Sequence, residues 1–508
     1  MLASVNTLVL TGIEANSVRV EVDILNGLPA FEIVGLASAG VKEARERVRS
    51  ALRNSGYEFP NRKITVNLAP ADVKKEGSHF DLPIALGILL ASDQLGEAEG
   101  LDKYYLAAEL SLDGSLRPVP GILPMALHLA EAGQASRFIV PGSNGSEAAL
   151  VEEIESFGLD HLNQVIELLT GAVKMEAEKP RRDVLASEMI PDFSEVRGQE
   201  SAKRALQIAA AGMHNILLIG PPGSGKTMLA RRLPGIFPEM TREEVLETSR
   251  IYSAAGLLNG HHPLVNIRPF RAPHKNASAA SVIGGGRIPR PGEISLAQNG
   301  ILFLDEMPEF SRDVLEALRQ PLEDRVVTVA RAQATYSFPA SFTLVASMNP
   351  CPCGFLGSDQ ECKCTPWQVQ AYRRKLSGPL LDRIDLHVEV PRLQYEQIRE
   401  RKSGEDSSQI RSQVAGAREI QAKRFGNYPY QVNAQMGTVQ VREFCRLDQE
   451  SEQLLKNAFV RLHLSARAYD RVLKVARTVA DLEASTTIKM NHLAEALQYR
   501  SLDRAYWA

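Results

Sequence analysis

The sequence predicts an α/β protein built on a parallel sheet with helices on both faces. A mixed α+β unit precedes this core and a helical region follows it. Three observations carry the expectation. Gly220-Pro-Pro-Gly-Ser-Gly-Lys-Thr227 fits the phosphate-loop pattern and lies between a buried apolar run at 215–219 and a stretch able to open a helix at 228–233. Ile301-Leu-Phe-Leu-Asp-Glu306 has four apolar residues in a row and ends on two carboxylates. That is how a strand buried on both faces reads at a ligand-binding sheet edge. Beyond about Leu393 the apolar spacing turns helical, over 408–425, 449–462 and 466–482.

The elements follow in order. Residues 1–173 read as one α+β unit: an alternating strand at 17–24, an amphipathic helix at 41–54, a strand at 63–68 and an apolar helix at 82–91. Residues 174–192 are charged and proline-bearing without a period, and read as a linker. Residues 193–392 form the nucleotide domain, with strands near 215, 301, 342 and 386, and residues 393–508 form a helical lid. A chain of 508 residues holds about three domains, in line with this division.

The net charge of −3 leaves any polyanion-binding argument to local charge. No apolar run is long enough to span a bilayer, and Met1-Leu-Ala-Ser-Val-Asn-Thr7 lacks the basic segment and apolar core of a secretory signal. Four of the five cysteines fall between Cys351 and Cys364, unlike a disulfide framework. A reducing cytoplasm and no membrane partner are the expectation.

The nucleotide motifs assign roles. In the loop Gly220, Pro221, Pro222, Gly223, Ser224 and Gly225, the glycines would let backbone N–H groups turn inward around a triphosphate. Lys226 would reach the β- and γ-phosphates of ATP, and Thr227 with Asp305 would hold Mg²⁺. Glu306 would polarise the attacking water, and Asn349, ending a strand at 342–349, would orient water or γ-phosphate. Arg383, before a further strand, reads either as a surface salt-bridge former or, by likeness to ring ATPases in which this position faces the neighbour's nucleotide, as a stabiliser of transition-state charge. Arg467 opens a lid helix and could contact phosphate, with Arg471 and Arg477 as competitors.

Three further features lie around this core. Residues 248–292 contain no Asp or Glu but hold Arg268, Arg271, Lys275, Arg287 and Arg290, and read as an exposed irregular insertion suited to a polyanion such as DNA. Residues 325–338 read as a hairpin with Arg331 near its tip, a further DNA-contact candidate. Cys351, Cys353, Cys362 and Cys364 form two C-x-C pairs able to give four thiolates to a structural zinc.

Arg268-Pro-Phe-Arg-Ala-Pro-His274, Pro289-Arg-Pro-Gly-Glu-Ile-Ser-Leu296, Asn349-Pro-Cys-Pro-Cys-Gly354 and Ser377-Gly-Pro-Leu-Leu-Asp-Arg-Ile-Asp385 together resemble the bacterial YifB/ComM family of magnesium-chelatase-like AAA+ ATPases. The resemblance runs over nearly the whole chain. It departs at Lys275-Asn276, where a second His and a small hydroxyl residue are expected. It implies an AAA+ phosphate-loop core with a helical lid, ATP and Mg²⁺ as cofactors, and a homohexameric ring. It also implies DNA as partner: the family's best-described member, ComM, is a helicase that promotes branch migration during recombination in natural transformation. Glu76-Gly-Ser-His-Phe-Asp-Leu-Pro-Ile84 and Gly114-Ser-Leu-Arg-Pro-Val-Pro-Gly121 resemble segments of the Lon protease domain, with Asp81 and Leu123 at the positions of its catalytic Ser and Lys. A Lon-like fold without peptidase activity is the implication. The competing readings are an AAA+ protein remodeller or chaperone, and a magnesium-chelatase motor subunit.

Overall fold

The chain opens on a strand, Leu2–Thr11, which pairs antiparallel with Glu14–Leu25 across a two-residue turn. In the second strand Ala15, Val18, Val20, Val22 and Ile24 are buried, as a strand with one face on the core requires. The computed structural model describes residues 2–95, 100–133, 136–180, 190–258, 263–286, 289–330, 335–393, 405–426, 432–462, 464–500 and 502. These form two compact units: 1–186 with 242–265, and 187–241 with 266–508.

The first unit is a seven-stranded mixed sheet in the order Ala30–Val34, Lys63–Ala69, Glu14–Leu25, Leu2–Thr11, Tyr104–Leu106, Arg137–Pro141, Glu155–Leu159. The helix Asp81–Ala91 packs on the two long strands and is buried almost all round, matching its unbroken apolar sequence. The helices expected at 41–54 and 82–91 and the strands expected at 17–24 and 63–68 are all present. The opening strand Leu2–Thr11, central to this sheet, had no counterpart in the sequence reading.

Residues 242–265 also belong to the first unit, although in sequence they follow the phosphate loop. The helix Arg242–Ala255 lies against Ile122–Glu131. Its Ser253 hydroxyl donates to Glu147 Oε1 at 2.5 Å, and its Arg250 donates to the Ile13 carbonyl at 2.9 Å. This corrects the expectation of an irregular, exposed insertion starting at Thr248. Thr248, Ser249, Ile251, Ser253 and Ala254 are buried helix residues.

The second unit holds a five-stranded parallel sheet ordered Phe270–Arg271, Ile301–Leu304, Thr343–Met348, Ile216–Ile219, Leu386–Glu389. Four of these strands stand where the sequence placed them. The fifth, Phe270–Arg271, comes from the basic segment and is too short to show a period. Ile216, Leu218, Phe303, Val345 and Val388 pack with the helices Glu200–Gly212, Ser407–Phe425 and Ala466–Leu482 in one core. Leu217, Leu302, Leu344 and Ala346 are buried as well, so the sheet is covered on both faces. Val326–Ala330 and Thr335–Pro339 form the expected hairpin in the register Ala330↔Thr335. Its connection at 331–334, with Arg331, lies outside the described residues. The C-terminal region is helical, its helices including Gln449–Leu462 and Met490–Gln498. Among the described residues no helix is long and apolar enough to cross a membrane.

Candidate nucleotide and metal site

Sheet register brings the motifs together before any side chain is considered. Ile219 pairs with Met348 and Leu304 with Ala346. The residues that follow, Gly220, Asn349 and Asp305, therefore leave the sheet at one edge, the carboxyl ends of parallel strands. The phosphate loop spans 220–225 and runs into the helix Lys226–Arg232. Gly223 and Gly225 take φ of 76° and 91°, a left-handed conformation that a side chain disfavours.

Lys226 is seated in this corner. Its Nζ donates to the carbonyls of Gly220 at 2.7 Å and Pro221 at 3.0 Å, and to Asn349 Oδ1 at 3.3 Å. Burial holds its ammonium below the usual value, against the opposing pull of Asp305 and Glu306. Thr227 Oγ1 donates to Asp305 Oδ2 at 3.0 Å, so the two residues expected to share Mg²⁺ already face each other. A hydroxyl and a carboxylate on adjoining elements suit a hard cation that takes oxygen ligands.

Ser347 was not anticipated. Its hydroxyl donates to Asp305 Oδ1 and accepts from the Glu306 backbone N–H, so it fixes both acids. The signal was available, since Ser347 and Asn349 are two apart on one strand and share a face. Glu306 adopts a left-handed φ of 52° and is half exposed. Lys275 Nζ lies 2.7 Å from Glu306 Oε2, and this bond raises the Lys275 pKa. Lys275, where the sequence departs from the family pattern, is thus placed beside the nucleotide motifs.

The arginines sort by what they touch. Arg383 is buried, ion-paired to Glu323, and donates to the Pro379 carbonyl at 2.7 Å. Arg467 is mostly exposed and reaches the same Glu323 at 3.3 Å. The two arginines named as catalytic candidates therefore share one carboxylate. Arg471 pairs with the buried Asp385, and Arg477 with the buried Asp481, which removes both from the competition for phosphate. Burial disfavours the charged form of Asp385, yet Arg471 and His214 outweigh it and hold its pKa far below the usual range.

Of the basic-segment residues, Arg268 is buried. It donates to the carbonyls of Pro238 at 2.8 Å and Asn299 at 2.7 Å, and lies over the Phe237 ring. Arg271 makes a two-pronged pair with Glu293, both contacts at 2.7 Å. Both tie the segment to its own unit; the buried Arg268 departs from the exposed insertion expected, while Arg271 keeps about a third of its side chain exposed. Glu293 closes the acid-free run from the far side, a partner that charge counting within the run could not see. Arg290 is exposed. Arg287 lies outside the described residues.

The four clustered cysteines converge. Cys351, Cys353, Cys362 and Cys364 place their sulfurs all within 4.8 Å of one another, and all four thiols are free. Four sulfurs and no hard ligand are the donor set of a thiophilic metal such as zinc. Cys445 lies apart, buried in the helical core.

In the first unit, Asp81 and Leu123 are both buried. Asp81 accepts from Arg47 Nε at 2.6 Å and Nη2 at 2.9 Å, and from the Leu110 N–H at 3.3 Å. The Leu123 N–H donates to Glu147 Oε1 at 2.9 Å.

Comparison with known proteins places the chain. Residues 192–398 match the family described as magnesium chelatase, subunit ChlI. Residues 20–144 match subunit ChlI of Mg-chelatase, and residues 404–500 its C-terminal part. The chain is 46% identical to the uncharacterized protein YifB of Escherichia coli, over 99% of this chain and 98% of that one. It is 47% identical to the competence protein ComM of Haemophilus influenzae, over 97% and 96%. The magnesium-chelatase 38 kDa subunit of Cereibacter sphaeroides is 25% identical over 44% of this chain and 71% of its own. With a phosphate loop, an acidic strand end and near-full-length identity of this size, the chain belongs to the YifB/ComM family of proteins related to subunit ChlI of magnesium chelatase.

Proposed function

We propose that the chain is a Mg²⁺-dependent AAA+ ATPase that assembles as a homohexamer and remodels branched DNA by branch migration during recombination and natural transformation. The observation that supports it most is the convergence of Lys226, Thr227, Asp305 and Asn349 at one sheet edge, in a chain similar over its length to a competence protein. In this reading, Lys226 would exchange its loop carbonyls for the β- and γ-phosphates, and Thr227 and Asp305 would hold Mg²⁺, which would supply positive charge to the phosphates. Glu306 orients the water once it leaves Lys275. Arg383 acts in trans, and Arg467 contacts phosphate from the lid. DNA contact falls to Arg290, Arg287 and Arg331, since Arg268, Arg271 and Lys275 are engaged within the unit. Such binding would be electrostatic and steeply salt-dependent. The Lon-like unit, with Asp81 and Leu123 in place of a Ser/Lys pair, serves as scaffold and not as a peptidase.

The test is ATP hydrolysis by the purified protein with no addition, single-stranded DNA, forked DNA, an unfolded protein or a chelatase partner, together with unwinding of a branched substrate. Stimulation by forked DNA with strand exchange is the expected result. Stimulation by unfolded protein alone would replace the DNA motor with a protein remodeller. Stimulation by the chelatase partner alone would favour a chelatase subunit.

A further inference from the structure

Within the cysteine cluster, Cys351 Sγ lies 3.4 Å from Cys353 Sγ and 3.7 Å from Cys362 Sγ, and Cys353 Sγ lies 3.6 Å from Cys362 Sγ. A zinc–sulfur bond of ~2.3 Å in a tetrahedron sets sulfur atoms about 3.8 Å apart. The observed separations are close to that edge length. The Leu356 N–H also points at Cys351 Sγ, at 3.4 Å, an outer-shell bond of the kind that steadies a metal thiolate. Between the two C-x-C pairs runs Gly354, with φ of 88°. A Cβ there would lie 2.5 Å from Pro222 Cδ, 2.7 Å from Pro222 Cγ and 3.8 Å from Asn349 Cγ. The loop that carries the thiols therefore closes directly onto the phosphate loop. Cys351 follows Asn349 by two residues, and Asn349 accepts from Lys226.

We propose that Cys351, Cys353, Cys362 and Cys364 bind one zinc ion, and that this metal knot is a latch which holds Pro222 and Asn349 in place, so that nucleotide affinity depends on zinc. The latch rests on the nucleotide-site reading above; the metal site does not. Without the ion, the four adjacent thiols share no ligand, and the loop from 350 to 365 loses the cross-link between its two C-x-C pairs. The side chain of Asn349 and the second proline of the phosphate loop then lose their backing. A thiol-only donor set selects against Mg²⁺, so the knot and the ATP site do not compete for one cation.

The experiment uses the full chain purified without chelator. Elemental analysis is expected to find about one zinc per chain. Stripping with a chelator and adding back zinc alone should lower and then restore affinity for a fluorescent ATP analogue, by about tenfold or more. Trp367, 74% exposed and three residues past Cys364, reports the same step by its emission, measured in a Trp507→Phe background. Gly354→Ala should keep its zinc and still weaken ATP binding, because the added methyl displaces Pro222. Cys445→Ala should keep both zinc and affinity. Metal-free protein with four readily alkylated thiols, or iron in place of zinc, overturns the site. Zinc-stripped, still folded protein with unchanged ATP affinity overturns the latch while the ATPase reading stands. Zinc-loaded protein that binds no ATP overturns the nucleotide-site reading and the latch with it, and leaves the metal site.

Discussion

In the first unit, Asp81 is enclosed by Arg47 and the Leu110 amide, and Glu147 by Ser253, the Leu123 amide and Asn144. In the second, Lys226 rests on carbonyls of its own loop, Thr227 on Asp305, and Glu306 on Lys275. Both units hold charged groups with partners, but the partners differ in kind. Those of the first unit are buried, apart from the partly exposed Arg47, and come from several segments, so a ligand could replace few of them without opening the core. Those of the second lie around the carboxyl ends of the sheet strands, and in the proposed function they give way to a triphosphate and its cation. A group kept for chemistry is recognised by how exchangeable its partners are, more than by whether it is buried.

Breaking the exchangeable set should have the largest effect. Lys226→Ala is expected to abolish productive ATP binding, whereas Glu306→Gln should keep binding and remove turnover; equilibrium binding and steady-state hydrolysis separate the two. Near-normal turnover in both variants would sink the site assignment. Next comes Arg383→Ala, expected to cost about 10³-fold in hydrolysis if the charge acts across subunits. Mixing Arg383→Ala with Lys226→Ala chains should restore part of the activity, because some interfaces then pair an intact loop with an intact arginine. A fully active Arg383→Ala protein would confine this arginine to its bond with Glu323.

Lys275→Ala sharpens the comparison from the other side. Its pair with Glu306 is about half exposed, so solvent screening leaves it weak. If that bond holds Glu306 away from the water, its loss should raise basal hydrolysis by up to about fivefold. A fall in basal hydrolysis would instead make Lys275 part of the active arrangement.

The strands at 216–219, 301–304 and 343–348 were legible because each is a buried, mostly apolar run followed by a chemical marker, and the strand at 386–389 because Arg383 marks its approach. The lid helices were legible from their period. The partners of Lys275 and Arg271 were not legible because charge composition reports what a segment carries and not what faces it. Glu306 and Glu293 lie outside the acid-free run but fold against it. The helix Arg242–Ala255 shows the same limit. The sequence reading placed its second half in an irregular insertion, and only the tertiary fold reveals a helix of the first unit. Ser347 was legible in principle, by its face of the strand, yet a serine in an apolar run attracts no notice.

The prediction with the smallest effect on turnover concerns the enclosed set. Burial lowers the His79 pKa to about 4, and its ring bonds the Leu8 carbonyl at 2.8 Å. Burial raises the Asp81 pKa to about 6, with Arg47 opposing. The signs are opposite. Between about pH 4 and 6.5 the unfolded chain holds the His79 proton and the folded chain does not, so stability is lost as pH falls through that window. Between about pH 4 and 6 the folded chain holds the Asp81 proton and the unfolded chain does not, so stability is gained as pH falls. Each is on the order of 3 kcal/mol, at about 1.4 kcal/mol per unit, and in wild type they nearly cancel. His79→Gln removes one side only while keeping a donor for the Leu8 carbonyl. Its stability relative to wild type should therefore improve by up to about 3 kcal/mol as pH falls from 6.5 to 4, read from denaturant melts at matched pH. ATP hydrolysis at neutral pH should stay unchanged. Parallel stability curves for the two proteins would mean that His79 is no more enclosed than the groups of the nucleotide site, and the contrast between the units would lose its clearest measure.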